Sequence, residues 1–224
     1  MESSLKHIEL ECIHCRTRVP LDKNIAGCPA CGENILEARY DMQQIDVAAW
    51  RASLQTRPRG LWRYHEMLPL YDLRNCVSLG EGGTPLLKSR ALAATLGLRN
   101  LYIKDERQGP TASFKDRQAT VAISALKEIG VDSVVVASTG NVAIAYAAYG
   151  ARAGIKVWAF FPSLAPVEKM REAALYGAEV VKIAGTYDQT KEIAARFAKR
   201  KGLFLDRGIK SVAAIEAMKT MAYE

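Results

Sequence analysis

With 224 residues, of which 49% are hydrophobic, 25% charged and 8% aromatic, the chain has ordinary globular composition, which excludes a disordered, collagen-like or disulfide-scaffold protein. No apolar run approaches the roughly 20 residues of a spanning helix, and the opening MESSLKHIELEC lacks an apolar signal core, so a soluble, cytoplasmic protein without membrane contact is expected. The net charge of +7 serves solubility or attracts small anions; the basic residues are scattered, without aromatic interleaving, which argues against nucleic acid as a partner.

Three stretches differ in texture: a cysteine module over residues 1–37, a connector over 38–78, and an α/β region over 79–224. In the first, Cys12, Cys15, Cys28 and Cys31 are spaced C-x2-C-x12-C-x2-C. Each C-x2-C turn sets two sulfurs on one side of a tight loop, and two such turns complete the tetrahedral four-thiolate site that zinc accepts. With all ligands from protein, such a site is structural. Two disulfides, disfavoured inside cells, or a vestigial site are the competing accounts. Gly32 follows the last cysteine, where the turn needs it, and His14 is expected to face solvent. In the connector, Trp50, Trp62, Tyr64 and Tyr71 are interrupted by Pro58, Gly60 and Pro69. Residues 45–54 could be helical, and Cys76 reads as a small buried residue, not a nucleophile.

From residue 79, short apolar runs alternate with alanine-rich amphipathic stretches. Strands are predicted at 100–104, 133–137, 156–161, 179–183 and 203–205. Helices are predicted at 113–129, 141–153, 166–176, 188–201 and from 211 onward, three of them closed by Gly154, Gly177 and Gly202. The alternation predicts a mostly parallel sheet buried between helices. The last predicted helix reaches Glu224 without a cap, and an incomplete α/β region is expected.

Two local constellations carry chemistry. Ser113 suits the N-cap of the first large helix, with Asp116 three residues on as in a capping box. Lys115 then falls in the first turn, where a cation opposes the helix dipole. It is either a solvated surface lysine or an amine that gives up its proton easily, as a Schiff base requires. Ser138-Thr139-Gly140-Asn141 follows a strand of pure β-formers, at the sheet edge where open α/β folds bind ligands. It is either a plain cap and turn or a cradle for an oxygen-rich ligand, with Gly140 permitting a flat ring to approach.

Three segments, in this order, resemble the fold type II pyridoxal-phosphate enzymes, and most of all the threonine synthase family. Glu81-Gly82-Gly83-Thr84-Pro85-Leu86 is similar to the E-G-x-T-P-L segment. Residues 110–117, PTASFKDR, are similar to the lysine motif, where that family usually has glycine at the position of Ala112. Ser138 to Asn141 is similar to the S-(S/T)-G-N substrate loop. Lys104-Asp105-Glu106 also fits, and cysteine-bearing N-terminal modules occur in some members. The resemblance implies a tryptophan synthase β-like fold with pyridoxal 5'-phosphate as cofactor. It implies Lys115 as the Schiff-base lysine, Asn141 on the ring's 3′ oxygen and Phe114 beside the cofactor. Ser138 and Thr139 would hold the substrate carboxylate, with Thr139 also assisting proton transfer, while Asp116 and Arg117 would be structural. The implied reaction is a carbon–oxygen lyase one, O-phosphohomoserine and water giving threonine and phosphate. A serine or threonine dehydratase, a β-replacement enzyme or an inactive binding paralogue are the alternatives. Relatives are often dimers.

Two departures bear on this. The family's cradle for the cofactor phosphate, and its partner for the pyridine nitrogen, are expected further along the chain than residue 224. The family's N-S-x-N-P-Y-R-x-E-G-x-K-T segment is matched at Glu216, Lys219 and Thr220, but Gly208, Ile209 and Ala214 stand where polar phosphate- and substrate-recognition residues are expected. Arg207 or Lys210 would then supply the missing positive charge, unless both are surface residues.

Overall fold

A computed structural model describes residues 7–21 and 27–224, apart from the Ile209 side chain; residues 1–6 and 22–26 of the cysteine module lie outside the described residues. The module is a small antiparallel sheet of β1 (Ile8–Cys12), β2 (Arg18–Pro20) and β3 (Leu36–Tyr40), in the order β2-β1-β3. Leu10, Cys12, Cys28 and Leu36 form its buried core, so two of the four cysteines are core residues.

The connector is folded against the main region. Its helix α1 (Val47–Thr56) starts where Asp46 accepts a hydrogen bond from the Ala49 amide at 2.9 Å, the side-chain cap that satisfies an orphan donor. Beyond Gly60, 3-10 turns bury Leu61, Tyr64 and Met67. Next come β4 (Leu86–Lys88), the short helix α2 (Arg90–Thr95) and β5 (Tyr102–Lys104). The strand expected at 100–104 exists as β5, but it pairs antiparallel with β4 in a two-stranded sheet and does not join the parallel one. Its apolar residues did not distinguish those arrangements: Leu86, Leu87, Tyr102 and Ile103 are about half exposed among the described residues.

The rest follows the predicted alternation. Helix α3 (Lys115–Glu128) leads into β6 (Ser133–Ala137), α4 (Asn141–Ala153), β7 (Lys156–Pro162), α5 (Val167–Leu175), β8 (Glu179–Ile183), α6 (Tyr187–Lys201) and β9 (Phe204–Leu205). The four strands are parallel, in the order β8-β7-β6-β9. The period of two in β6 divides its valines between the faces. Val134 and Val136 pack with α3 and α4, against Ala119, Ile123, Ala143 and Tyr146. Val135 packs on the other face with Phe160, Ala194 and Ala198. Gly154 ends α4 in the left-handed region at φ +72°, which costs glycine nothing. The tail runs through α7 (Val212–Glu216), a 3-10 turn and α8 (Thr220–Tyr223). Val212 packs against the cysteine module, and Ala217 joins Leu61, Leu68 and Val121 in a core that locks the connector onto α3.

Candidate active site

The two segments singled out in the sequence are brought to one edge of the sheet. Helix α3 enters β6 through the four residues 129–132, and α4 leaves it through 138–140. Both helices therefore run against the strand direction, packed side by side. Their first residues, Lys115 and Asn141, lie at the carboxyl end of the sheet, the ligand-binding edge of open α/β folds.

Lys115 is half-buried. Its ammonium sits 4.2 Å from the centroid of the Phe114 ring, and burial alone holds its pKa below the usual lysine value. The expected capping box is absent. Phe114, with helical backbone angles (φ −60°, ψ −8°), is the N-cap, and the Ser113 hydroxyl accepts only a long bond, 3.3 Å, from the Lys115 amide. The Asp116 carboxylate turns back to accept from the amide and hydroxyl of Thr111, at 2.9 and 2.6 Å. The turn that permits this places Ala112 at φ +54°, a strained region for any residue with a Cβ. Ala112→Gly is therefore expected to raise stability by about 0.5–1 kcal/mol, the relieved strain outweighing the added freedom of the unfolded chain. A urea midpoint that falls would contradict this.

In the second segment, the Ser138 amide donates to the Phe160 carbonyl at 2.9 Å, and its buried hydroxyl accepts from the Gly140 amide at 3.0 Å. That hydroxyl keeps its own proton free to donate. Thr139 and Asn141 are exposed, as is Phe114 at 39%, so the edge opens to solvent. A Cβ on Gly140 would sit 3.3 Å from Cγ and 3.5 Å from Cδ of Lys169. Nothing in the sequence reading had singled out that lysine.

The surrounding motifs support this edge from below. Glu81 is 1% exposed; its Oε2 accepts from the Tyr149 hydroxyl at 2.8 Å, the Ser78 hydroxyl and the Leu79 amide. Arg117, also 1% exposed, donates to both oxygens of Glu106 (2.8 and 2.9 Å) and of Glu224 (2.8 and 2.9 Å). It also reaches the hydroxyls of Thr220 and Thr84, at 3.1 and 3.3 Å. Sequence reading flagged Thr84, Glu106 and Thr220 as fitting a pattern without showing that they meet at one guanidinium.

Arg207 and Lys210 lie elsewhere. Both line a cavity of about 190 Å³ whose wall includes Ala122, Ala125 and Leu126 of α3 and Leu10 and Leu36 of the cysteine module. At 1.5 Å per residue this is about 10 Å or more along α3 from Lys115. The Arg207 guanidinium donates to the Asn34 carbonyl at 2.8 Å. Cys76 is half-buried, its thiol pushed up to about 12 by that burial.

The four cysteine sulfurs converge, all within 4.8 Å of one another. Cys12 and Cys31 are 3.6 Å apart and Cys15 and Cys28 3.5 Å, near the roughly 3.8 Å edge of a tetrahedron with 2.3 Å bonds. The residue after each turn, Arg16 (φ +62°) and Gly32 (φ +75°), is left-handed, and its amide donates to the carbonyl of the first cysteine. The Thr17 hydroxyl and amide hold Cys15 down to about 6. Cys31 is pushed up to about 12: the Glu33 amide favours its thiolate, but the neighbouring Cys15 and burial outweigh it. His14 is exposed.

The chain is 39% identical over 214 residues to a threonine synthase of Methanocaldococcus jannaschii, covering 95% of this chain and 52% of that protein. It is 35% identical over 216 residues to one of Methanosarcina acetivorans, covering 96% and 52%. The chain thus spans about half the length of the curated relatives it matches. Among solved structures it is similar to the processed form of threonine deaminase isoform 2 from Solanum lycopersicum (26% identity, TM-score 0.60, 75% of this chain and 46% of that one). It is also similar to a pyridoxal 5'-phosphate-dependent aspartate racemase (32% identity, TM-score 0.58, 62% and 44%). The family described as pyridoxal-phosphate dependent enzyme matches residues 77–224, a span that holds Lys115, the Ser138 to Asn141 loop and the Arg117 cluster beneath them, and the chain belongs to that family.

Proposed function

We propose that the protein acts as a threonine synthase-like lyase, converting O-phosphohomoserine and water to threonine and phosphate. The observation that carries this is a half-buried lysine amine, held below its usual pKa by burial and paired with no carboxylate among the described residues, at the same sheet edge as the Ser138 to Asn141 loop. The curated relatives named threonine synthase support the choice of reaction.

The residues present fit the family's cofactor. Lys115 offers a partly desolvated amine, the form that bonds an aldehyde. The Phe114 ring lies against the Lys115 ammonium, and Phe114 and Asn141 are exposed at the open edge. Pyridoxal phosphate, when bound, supplies an electron sink for an amino acid that has lost its α proton. Lys115 would hold it, with the Asn141 amide as donor to its ring oxygen and Phe114 beside it. The Ser138 hydroxyl proton and the Thr139 hydroxyl hold the substrate carboxylate. Lys115 Nζ is the base that would take the α proton and carry protons between the α and β carbons. Thr139 assists by holding a proton on its hydroxyl oxygen. Once a β proton is removed, phosphate would leave from the γ carbon with the bonding electrons; protons would return to the γ and α carbons, hydroxide from water would add at the β carbon, and the remaining proton would leave with phosphate.

The likeness to threonine deaminase favours a second reading, release of a keto acid from threonine or serine. The deciding assay, on the protein as its gene encodes it, compares phosphate release from O-phosphohomoserine with 2-oxobutyrate and pyruvate release from threonine and serine. Phosphate release is the expected result, and keto acid alone moves the protein to the second reading.

The four cysteines are proposed to hold a structural zinc ion. The donor set supports this: thiols so close together cannot all ionise without a cation among them. Elemental analysis of protein purified without chelator is expected to give about one zinc per chain. Zinc removal is expected to unfold the module. Metal-free protein with all four thiols open to alkylation would overturn the assignment.

A further inference from the structure

We propose that Lys169 recognises the phosphate of the substrate, an inference that rests on the reading of this site as one for a phosphorylated amino acid. Arg207 and Lys210, the cations expected to do this from sequence, face the cysteine module beside the far half of α3. Lys169 instead approaches the substrate loop directly. Its stem lies over Gly140, with Cγ and Cδ 3.3 and 3.5 Å from where a Cβ would stand. Its ammonium is two bonds beyond Cδ, and the residues that flank Gly140, Thr139 and Asn141, are exposed.

The position follows from the fold. Strands β6 and β7 are parallel neighbours, with Ala137 opposite Phe160, so the loop that ends β7 and starts α5 emerges beside the loop that ends β6. Lys169 is the third residue of α5. A cation in a helix's first turn works against the dipole, so this charge contributes nothing to the helix. Its one ion-pair partner among the described residues, Glu172, is 3.9 Å away, and both side chains are about 40% exposed, a pairing of little worth. The ammonium is therefore available to an oxyanion. An anion placed there also meets the amino end of α4, where backbone N–H groups point outward. A Cβ at residue 140 would press on the lysine stem at 3.3 Å and shift it by a few tenths of an ångström.

The test uses the cofactor-saturated protein, with inorganic phosphate as the probe in titration calorimetry and O-phosphohomoserine as the substrate. Lys169→Gln is expected to weaken phosphate binding and raise KM for O-phosphohomoserine by about tenfold or more, the loss of one charge-assisted bond. Lys169→Arg is expected to restore most of both. Gly140→Ala, which displaces the stem, should weaken phosphate in the same direction, and Arg207→Gln and Lys210→Gln should leave it unchanged. The inference is overturned if Lys169→Gln binds phosphate as the unaltered protein does, if the Arg207 or Lys210 variant carries the loss, or if the unaltered protein binds no phosphate. It is equally overturned if Lys169→Gln impairs any keto-acid release from threonine as much as it impairs phosphate binding, because the lysine would then serve the carboxylate or the fold. Unaltered protein that binds phosphate through Lys169 yet releases only keto acids would remove the threonine synthase reading and leave the oxyanion site standing.

Discussion

Lys115→Ala is expected to lower turnover by about a thousandfold or more, the scale of losing a positioned acid–base group, and to abolish the visible absorbance of bound pyridoxal phosphate. The fold should survive. The ammonium is half-buried with no carboxylate partner among the described residues, and it opposes the dipole of α3, so its removal leaves stability unchanged or raises it by up to about 1 kcal/mol. The sharper measurement is borohydride reduction followed by peptide mapping, which should find the adduct on residue 115. The other lysines near the motifs are engaged. Lys104 donates to the Thr84 carbonyl and lies 2.7 Å from Glu224. Lys219 is paired with Glu216 and sits 3.6 Å from the centroid of the Tyr40 ring. Both amines are engaged by a carboxylate, Lys104 by Glu224 and Lys219 by Glu216, whereas Lys115 has none among the described residues. An adduct on either, with residue 115 unmodified, would refute the assignment.

The α/β region was legible almost element by element because its strands are short runs of β-formers, buried in β6 and most of β7, and glycines follow its helices, two features that leave local marks. The predicted strands 133–137 and 179–183 and helix 141–153 coincide with β6, β8 and α4. The capping box at Ser113 failed for a reason sequence could not show: Asp116 had a better partner behind it in Thr111, reached through a left-handed Ala112. The two-stranded sheet was missed because a strand of two apolar residues and a lysine looks alike in an antiparallel pair and a parallel one. Among chemical residues, Lys115 and the Ser138 to Asn141 loop were legible because local position betrays them. Lys169 carried the signal that drew attention to Lys115, a cation in a first turn, but its approach to Gly140 depends on β6 and β7 being neighbours. The Arg117 cluster was the least legible, since Thr220 and Glu224 lie 103 and 107 residues away from it in sequence.

That cluster sets the largest expected effect on stability. Arg117→Met is expected to cost about 3–5 kcal/mol, the loss found when one partner of a buried ion pair is removed. Four charges are balanced at this point, Arg117 and Lys104 against Glu106 and Glu224. Without the guanidinium, two carboxylates share one lysine, and one of them must take up a proton or unfold its surroundings. Lysine is no substitute, because a single ammonium cannot grip both carboxylates in two bonds each. The loss reaches the proposed site, since Arg117 is two residues past Lys115 and holds Thr84, Glu106 and α8 around the start of α3. The pH dependence has a definite sign. Burial raises the pKa of Glu224, but its bonds from Arg117 and Lys104 outweigh this and hold it at about 2, down from 4.5. Glu106, desolvated but gripped by Arg117, is also held low. Their contribution is complete above about pH 5, where the unfolded carboxylates are already ionised, and is lost as pH falls toward 2. Urea midpoints across that window should show a steep decline in the unaltered protein and a shallower one in Arg117→Met. Equal slopes, or a loss below about 1 kcal/mol, would mean that the cluster is no more than a solvated surface network.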